Sequence, residues 1–151
     1  MWVHLCCPPP PRLPLPSPSS ATTVLVVDDE RVSRQVASRL LSEEGYRLLE
    51  ADGAPEALAV LEQARGGVDL LVLDVVMPGC DGVELGRQIR DQWPEQRILY
   101  MSAYPAEVVR RGLADEVTFL LKPYTRNEAL AKVREALAAR PHARSDKPEQ
   151  Q

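Results

Sequence analysis

Three carboxylates and one lysine stand at the ends of short apolar runs in this chain. Asp28 and Asp29 follow ValLeuValVal, Asp74 follows LeuLeuValLeu, and Lys122 follows PheLeuLeu. Two like charges about 4 Å apart repel by roughly 4 kcal/mol at an effective dielectric near 20. Gathered acids therefore need a cation, or their pKa values must rise. Oxygen ligands from two or three acids suit a hard cation such as Mg²⁺, which keeps waters and joins a phosphate. A lysine adds a mobile point charge suited to a phosphoryl oxygen. An aspartate can itself be the nucleophile and become an aspartyl phosphate. Asp74 is the best candidate for that role, being a lone acid with an acid pair next door.

For such residues to meet, the runs that carry them must lie side by side. The apolar runs at 24–27, 46–50, 68–73, 98–101 and 117–121 are short and rich in branched residues, as buried strands are. Helical stretches alternate with them. Val32, Val36 and Leu40 recur at four-residue spacing, with Ala37 and Leu41 beside them. Ala57, Leu58 and Leu61 mark a second helix after Gly53. Residues 83–92 form a third, entered through Gly82, and residues 106–112 a short fourth. Leu130, Val133 and Leu137 mark a fifth, with Thr125 as N-cap and Glu128 completing a capping box. Gly45 reads as a helix stop. Five βα repeats make a doubly wound α/β domain, a parallel sheet of order 2-1-3-4-5 with helices on both faces. Ligands bind in the crevice outside the carboxyl ends of such strands, where the order switches between the first and third. The acids flank that point.

The bulk properties allow one domain with tails. The 151 residues are 44% hydrophobic and 26% charged, ordinary values for a soluble globular protein. A net charge of -4 argues against a nucleic-acid or anionic-membrane surface. No apolar run approaches the roughly 20 residues of a membrane helix. The opening MetTrpValHisLeuCysCys lacks the basic flank of a secretory signal. Cys6, Cys7 and Cys80 are an odd set with two adjacent, which predicts a reducing cytoplasm rather than a disulfide framework. With His4 and His142 they make a poor zinc site. Residues 1–21 are crowded with proline and read as a linker or disordered tail. Residues 22–139 hold the domain, and residues 140–151 read as a polar C-terminal tail.

Four stretches carry a family likeness. They are ValLeuValValAspAspGlu at 24–30, LeuAspValValMetProGlyCysAspGly at 73–82, TyrMetSerAlaTyr at 100–104 and PheLeuLeuLysProTyr at 119–124. Together, in this order and spacing, they resemble the signatures of response-regulator receiver domains, most of all the terminal receivers of hybrid histidine kinases. The likeness covers residues 22–139 and implies a flavodoxin-like (βα)5 fold. It implies that Asp74 takes a phosphoryl group from a phosphohistidine on a histidine kinase or phosphotransfer protein. Mg²⁺ would be held by Asp29 directly, by Asp28 partly through water, by Asp74 and by the Val76 backbone carbonyl. Lys122 would contact the phosphoryl group and Ser102 would hydrogen-bond it. Phe119 stands at the aromatic switch position, which turns inward as the Ser102 hydroxyl moves. The Lys122–Pro123 bond would be cis. The surface of the fourth helix, fifth strand and fifth helix would change its partner affinity, and could form a homodimer.

Three departures matter. Val76, two residues after the acceptor, and Tyr104, two after the hydroxyl, occupy positions that in the resembled family tune water attack on the acyl phosphate. Neither can hold that water through a carboxylate or amide, which predicts slow loss of the phosphoryl group. Phe119 lacks a tyrosine hydroxyl, so its inward state gains packing without a hydrogen bond.

Each residue has a plainer reading when taken alone. Asp28 and Asp29 fit helix caps, Asp74 a turn, Lys122 and Ser102 the surface, and Phe119 the core. Pro78, Gly79, Asp81 and Gly82 shape a turn, Cys80 is incidental, Trp93 packs, and Arg110 and Arg111 are a solvated face. The joint register on successive strand ends overrides the plain readings for the acids, the lysine, the serine and Phe119. A Mg²⁺-dependent aspartyl phosphatase would need an acid at position 76, where valine stands. A phosphorylation-independent scaffold would not need the intact constellation. The predicted role is therefore a signalling receiver, not an enzyme in its own right, although it would be part of a kinase if the chain is a hybrid-kinase piece.

Overall fold

The computed structural model of the chain describes residues 21–110 and 118–139. The expectations for both tails, for Gly112 and Val117 and for Arg111 lie outside these residues, as do Cys6, Cys7, His4 and His142. In chain order the elements are β1 (Thr23–Val27), α1 (Arg31–Glu43), β2 (Arg47–Ala51), α2 (Ala54–Ala64), β3 (Leu70–Asp74), α3 (Gly82–Gln92), β4 (Ile98–Ser102), α4 (Pro105–Arg110), β5 (Phe119–Leu121) and α5 (Arg126–Ala138). A small antiparallel ladder of Val76–Met77 with Cys80–Asp81 stands apart from the sheet. The five main strands are all parallel, in the order β2-β1-β3-β4-β5. This is the predicted topology.

Each central strand sends alternate side chains to opposite faces, and each face is apolar. Leu25, Val27, Leu71, Leu73 and Tyr100 pack under α2 and α3 with Ala57, Leu61, Leu85 and Ile89. Val24, Val26, Leu70, Val72, Leu99 and Met101 pack under α1 and α5 with Ala37, Leu41, Leu130 and Val133. This explains why the strands read as unbroken apolar runs. Burying each of these larger side chains contributes about 1.5–3 kcal/mol.

The helix ends follow their local chemistry. Beyond α1, the Gly45 N–H donates to Ser42 O at 3.0 Å and the Tyr46 N–H to Leu41 O at 3.3 Å. Gly45 takes φ +93°, so this is a Schellman stop that needs a residue free to adopt a left-handed backbone. Thr125 caps α5 through the predicted capping box, its side chain accepting from the Glu128 N–H and its own N–H donating to Glu128 Oε2.

Most strand bounds shift by a residue or two, and two differences are informative. The strand predicted at 68–73 begins at Leu70 and includes Asp74 as its last residue, because Val68 is buried but unpaired in the sheet while Asp74 pairs with Met101. The apolar set expected for α1 is buried only in part. Val32 is 65% and Val36 53% exposed, Leu40 packs half-buried against the core, and the buried line runs through Ala37, Ser38 and Leu41.

Candidate functional site

The sheet places the sequence-predicted residues around one crevice. Asp28 follows β1, where its N–H donates to Ala51 O at 3.2 Å. Asp74 ends β3, and the next N–H, of Val75, donates to Met101 O on β4 at 2.9 Å. Ser102 ends β4, and its carbonyl accepts from the Lys122 N–H at 2.8 Å. Parallel register therefore sets the acids, the hydroxyl and the lysine on neighbouring strand ends. The Lys122–Pro123 peptide is cis, as expected.

The Lys122 ammonium bridges the two strands that flank the switch point. Its Nζ donates to Asp28 Oδ2 at 2.9 Å and to Asp74 Oδ2 at 3.0 Å. Asp28 is fully buried and Asp74 nearly so. Burial pushes the Asp28 carboxyl up, but hydrogen bonds from the Ser33 side chain, Lys122 and the Glu30 N–H outweigh it and hold the acid below the usual range. At Asp74 burial wins over Lys122 and the Val76 N–H, with Asp28 adding repulsion, so this acid is raised. Burial alone would lower Lys122, yet its bonds to Asp28 and Asp74 keep it raised and charged. Two neighbouring carboxylates are thus pushed apart by unequal numbers of donors.

Asp29 completes the group from the exposed side. One carboxylate oxygen each of Asp28, Asp29 and Asp74 lies within 4.8 Å of the others. Three clustered hard oxygens with a solvent-facing side are the donor set Mg²⁺ takes, because it dehydrates reluctantly and keeps several waters. These residues fit that ion. The loop after Asp74 is shaped for close approach. The Val76 N–H donates to Asp74 Oδ1 at 3.1 Å, and the Pro78–Gly79 turn, with Gly79 at φ +70°, folds the ladder back. Gly82 then enters α3 so tightly that a Cβ would stand 2.0 Å from the Asp74 carbonyl oxygen. Asp81 caps α3 by accepting from the Val83 N–H at 2.9 Å.

The remaining expected residues sit at the rim. The Ser102 hydroxyl is buried, accepting from the Tyr104 N–H at 3.0 Å and donating to the Tyr104 carbonyl at 3.1 Å. Phe119 is half-buried against the cluster under α2 and α3. Val76 and Tyr104 are exposed beside the crevice. Trp93 packs at the edge of the same cluster, as expected, and Cys80 is half-buried. Two residues escaped the sequence reading. Ser33 bonds to the Asp28 carboxylate, and Arg34 Nη1 donates to the Asp28 carbonyl at 2.7 Å. Both lie in the first turns of α1, where a serine and an arginine give no signal of their own.

Comparison with known proteins agrees with this geometry. The family model described as response regulator receiver domain matches residues 24–134. Among curated proteins, the sensor kinase CckA of Brucella abortus is 36% identical over 121 residues, which is 79% of this chain and 13% of that protein. The response regulator protein FleR of Pseudomonas aeruginosa is 38% identical over 134 residues, 85% of this chain and 27% of that protein. The chain spans half or less of the length of the curated relatives it matches. Among solved structures, the receiver domain of the hybrid histidine kinase CckA superposes with a TM-score of 0.65 at 36% identity, covering 76% of this chain and 98% of that one. Parallel topology, an acid cluster bridged by lysine, and a family match over nearly all the described residues lead to one assignment: the chain belongs to the response regulator receiver domain family.

Proposed function

We propose that Asp74 is the phosphoacceptor of a two-component phosphorelay, charged by a phosphohistidine on a histidine kinase or histidine phosphotransfer protein. One observation carries the reading: a buried acid at the switch point shares the Lys122 ammonium with a second buried acid, and a third acid closes the cluster. In the transfer an Asp74 carboxylate oxygen forms a bond to phosphorus as the histidine N–P bond breaks, and the imidazole leaves with the electron pair. Asp29, Asp74 and the Val76 carbonyl, with Asp28 partly through water, would hold Mg²⁺, which when bound would supply positive charge to the phosphoryl oxygens. Lys122 is poised to give up part of its hold on Asp74 and follow the incoming oxygens. Ser102 exchanges its local bond to Tyr104 for one to the phosphoryl group, and Phe119 moves inward behind it. The surface of α4, β5 and α5 then presents a changed face to its partner. The trrA response regulator of Thermotoga maritima, whose structure is described as a complex with Mg²⁺ and BeF, is 32% identical with a TM-score of 0.65, over 76% of this chain; that likeness supports the same use of the crevice here.

Transfer of radiolabel from acetyl phosphate in Mg²⁺ buffer tests the reading. Wild type is expected to take up label, and Asp74→Asn to take up none. Label persisting in Asp74→Asn would sink it. Val76 and Tyr104, both exposed at the rim, give water no carboxylate or amide to hold it in line, so the acyl phosphate is expected to outlast minutes in Mg²⁺ buffer. A lifetime of seconds overturns that part. The likeness to hybrid-kinase receivers supports placement in such a relay; a reading frame continuing upstream in phase into an ATP-binding domain would rule out a stand-alone receiver, and an in-phase stop codon there would rule out a hybrid-kinase piece.

A further inference from the structure

We infer that Arg34 is a positioning residue for the acid pair, fixing the β1–α1 turn so that Asp29 is aimed at the metal before any metal arrives. The inference rests on the Mg²⁺ reading above and goes beyond its ligand set. The turn lacks the ordinary means of fixing a strand-to-helix junction. The N-cap residue Glu30 makes no side-chain cap hydrogen bond, and α1 has no acid in its first turn. What holds the turn instead is the Asp28 N–H on Ala51 O, the Glu30 N–H on Asp28 Oδ1 at 2.9 Å, the Ser33 side chain and Lys122 Nζ on the Asp28 carboxylate, and Arg34. All but Arg34 grip the amide or the carboxylate of Asp28. Arg34 grips its carbonyl, with Nη1 at 2.7 Å.

That carbonyl belongs to the same rigid plane as the Asp29 N–H. Fixing it fixes the direction in which Asp29 leaves Asp28. The Asp29 side chain is exposed, unlike Asp28 and Asp74, so its aim depends on its backbone rather than on packing. The arginine is costly to keep there. Its side chain is only 16% exposed, its Nε is buried without a hydrogen-bond partner, and its ion pair with Glu50 Oε2 is long, at 3.9 Å. A buried N–H without a hydrogen-bond partner opposes folding. The backbone N–H of Arg34 also donates to Glu30 O at 3.0 Å, so one residue of α1 pins both ends of the Asp28–Glu30 turn.

Charge and positioning make opposite predictions, which makes the inference testable. Removing a nearby cation should by Coulomb's law tighten the binding of a divalent ion. Removing a residue that orients a ligand should weaken it, by about 10-fold at the low end of such effects. The measurement is Mn²⁺ affinity of the full chain by electron paramagnetic resonance, with Mg²⁺ competition, alongside thermal melting of each variant. Arg34→Met and Arg34→Gln are expected to bind Mn²⁺ about 10-fold more weakly at temperatures far below their melting points. Arg34→Lys, which keeps charge but not the planar fork, is expected between them and wild type. Whichever of the Met and Gln variants folds decides the matter. Affinity equal to wild type, or tighter, overturns the inference even if melting falls. Wild type failing to bind Mn²⁺, or binding undiminished in Asp29→Asn, overturns the metal reading itself and is seen before any Arg34 variant is made.

Discussion

Lys122 and Arg126 lie four residues apart, and each bridges two carboxylates across the fold. Lys122 holds Asp28 and Asp74 at 2.9 and 3.0 Å. Arg126, in the first turn of α5, reaches Glu43 at 2.6 Å and also pairs with Glu44 at the end of α1. Arg134 joins Glu44 at 3.7 Å and Arg39 joins Glu43 at 3.3 Å. By distance alone the pairs of Arg126 are the tighter. Its members are largely open to water, however, with side-chain exposures of 46% for Arg126 and 48% for Glu43, against 0% for Asp28 and 11% for Asp74. Water and salt screen the first set and barely reach the second. The difference teaches that the environment, not the contact length, decides which cation the molecule depends on. It also explains the titration behaviour. Glu43 is simply lowered by its arginines, while the inner acids split into one lowered and one raised.

The sharpest way to break the comparison is to delete each cation. Lys122→Met leaves two buried carboxylates facing each other, and losing one partner of a buried pair costs about 3 kcal/mol. Urea unfolding in EDTA at neutral pH should show that loss, shrinking in acid as Asp74 takes a proton. A loss no larger than that of Arg126→Met would collapse the distinction between the two networks. Next in size is Asp74→Asn. A carboxyl whose folded pKa is raised gives stability that is complete below its unfolded value, 3.8, and is lost as pH rises through the folded value. Asparagine mimics the protonated acid and does not titrate. Without metal, the variant should match wild type in acid and pull ahead as pH rises; a variant less stable than wild type at neutral pH contradicts the raised carboxyl. Smallest is Arg126→Met, whose exposed pairs should yield a barely resolved shift in the unfolding midpoint, one that disappears in high salt. A large, salt-resistant shift there would show that the α1–α5 clamp is stronger than its exposure suggests.

Most of the site was legible in the chain because strands buried on both faces cannot hide their ends. Once ValLeuValVal, LeuLeuValLeu and PheLeuLeu are read as parallel strands, Asp28, Asp74 and Lys122 have nowhere to sit but one crevice. The capping box at Thr125 was equally plain, because three residues carry the whole signal. The misreadings share a cause. Val32 and Val36 are as apolar as core residues, but the face of α1 that meets the core runs through Ala37 and Leu41, and four-residue spacing alone does not report that. Arg34 gave no signal because its partner is a backbone carbonyl six residues away, and every residue has one. The slip at Val68 and Asp74 is of the usual kind at strand ends, where pairing partners decide and propensity does not.

The loop from Val76 to Gly82 shows how unevenly such a site can change over time. At Gly82 no side chain of any kind has room, since the Asp74 carbonyl already fills the space. Cys80 and Val76, a few residues before it, face outward in part and leave several alternatives open. The lineage of this domain can therefore revise the tip of the loop, where solvent meets it, while the anchor beside Asp74 stays a single permitted letter.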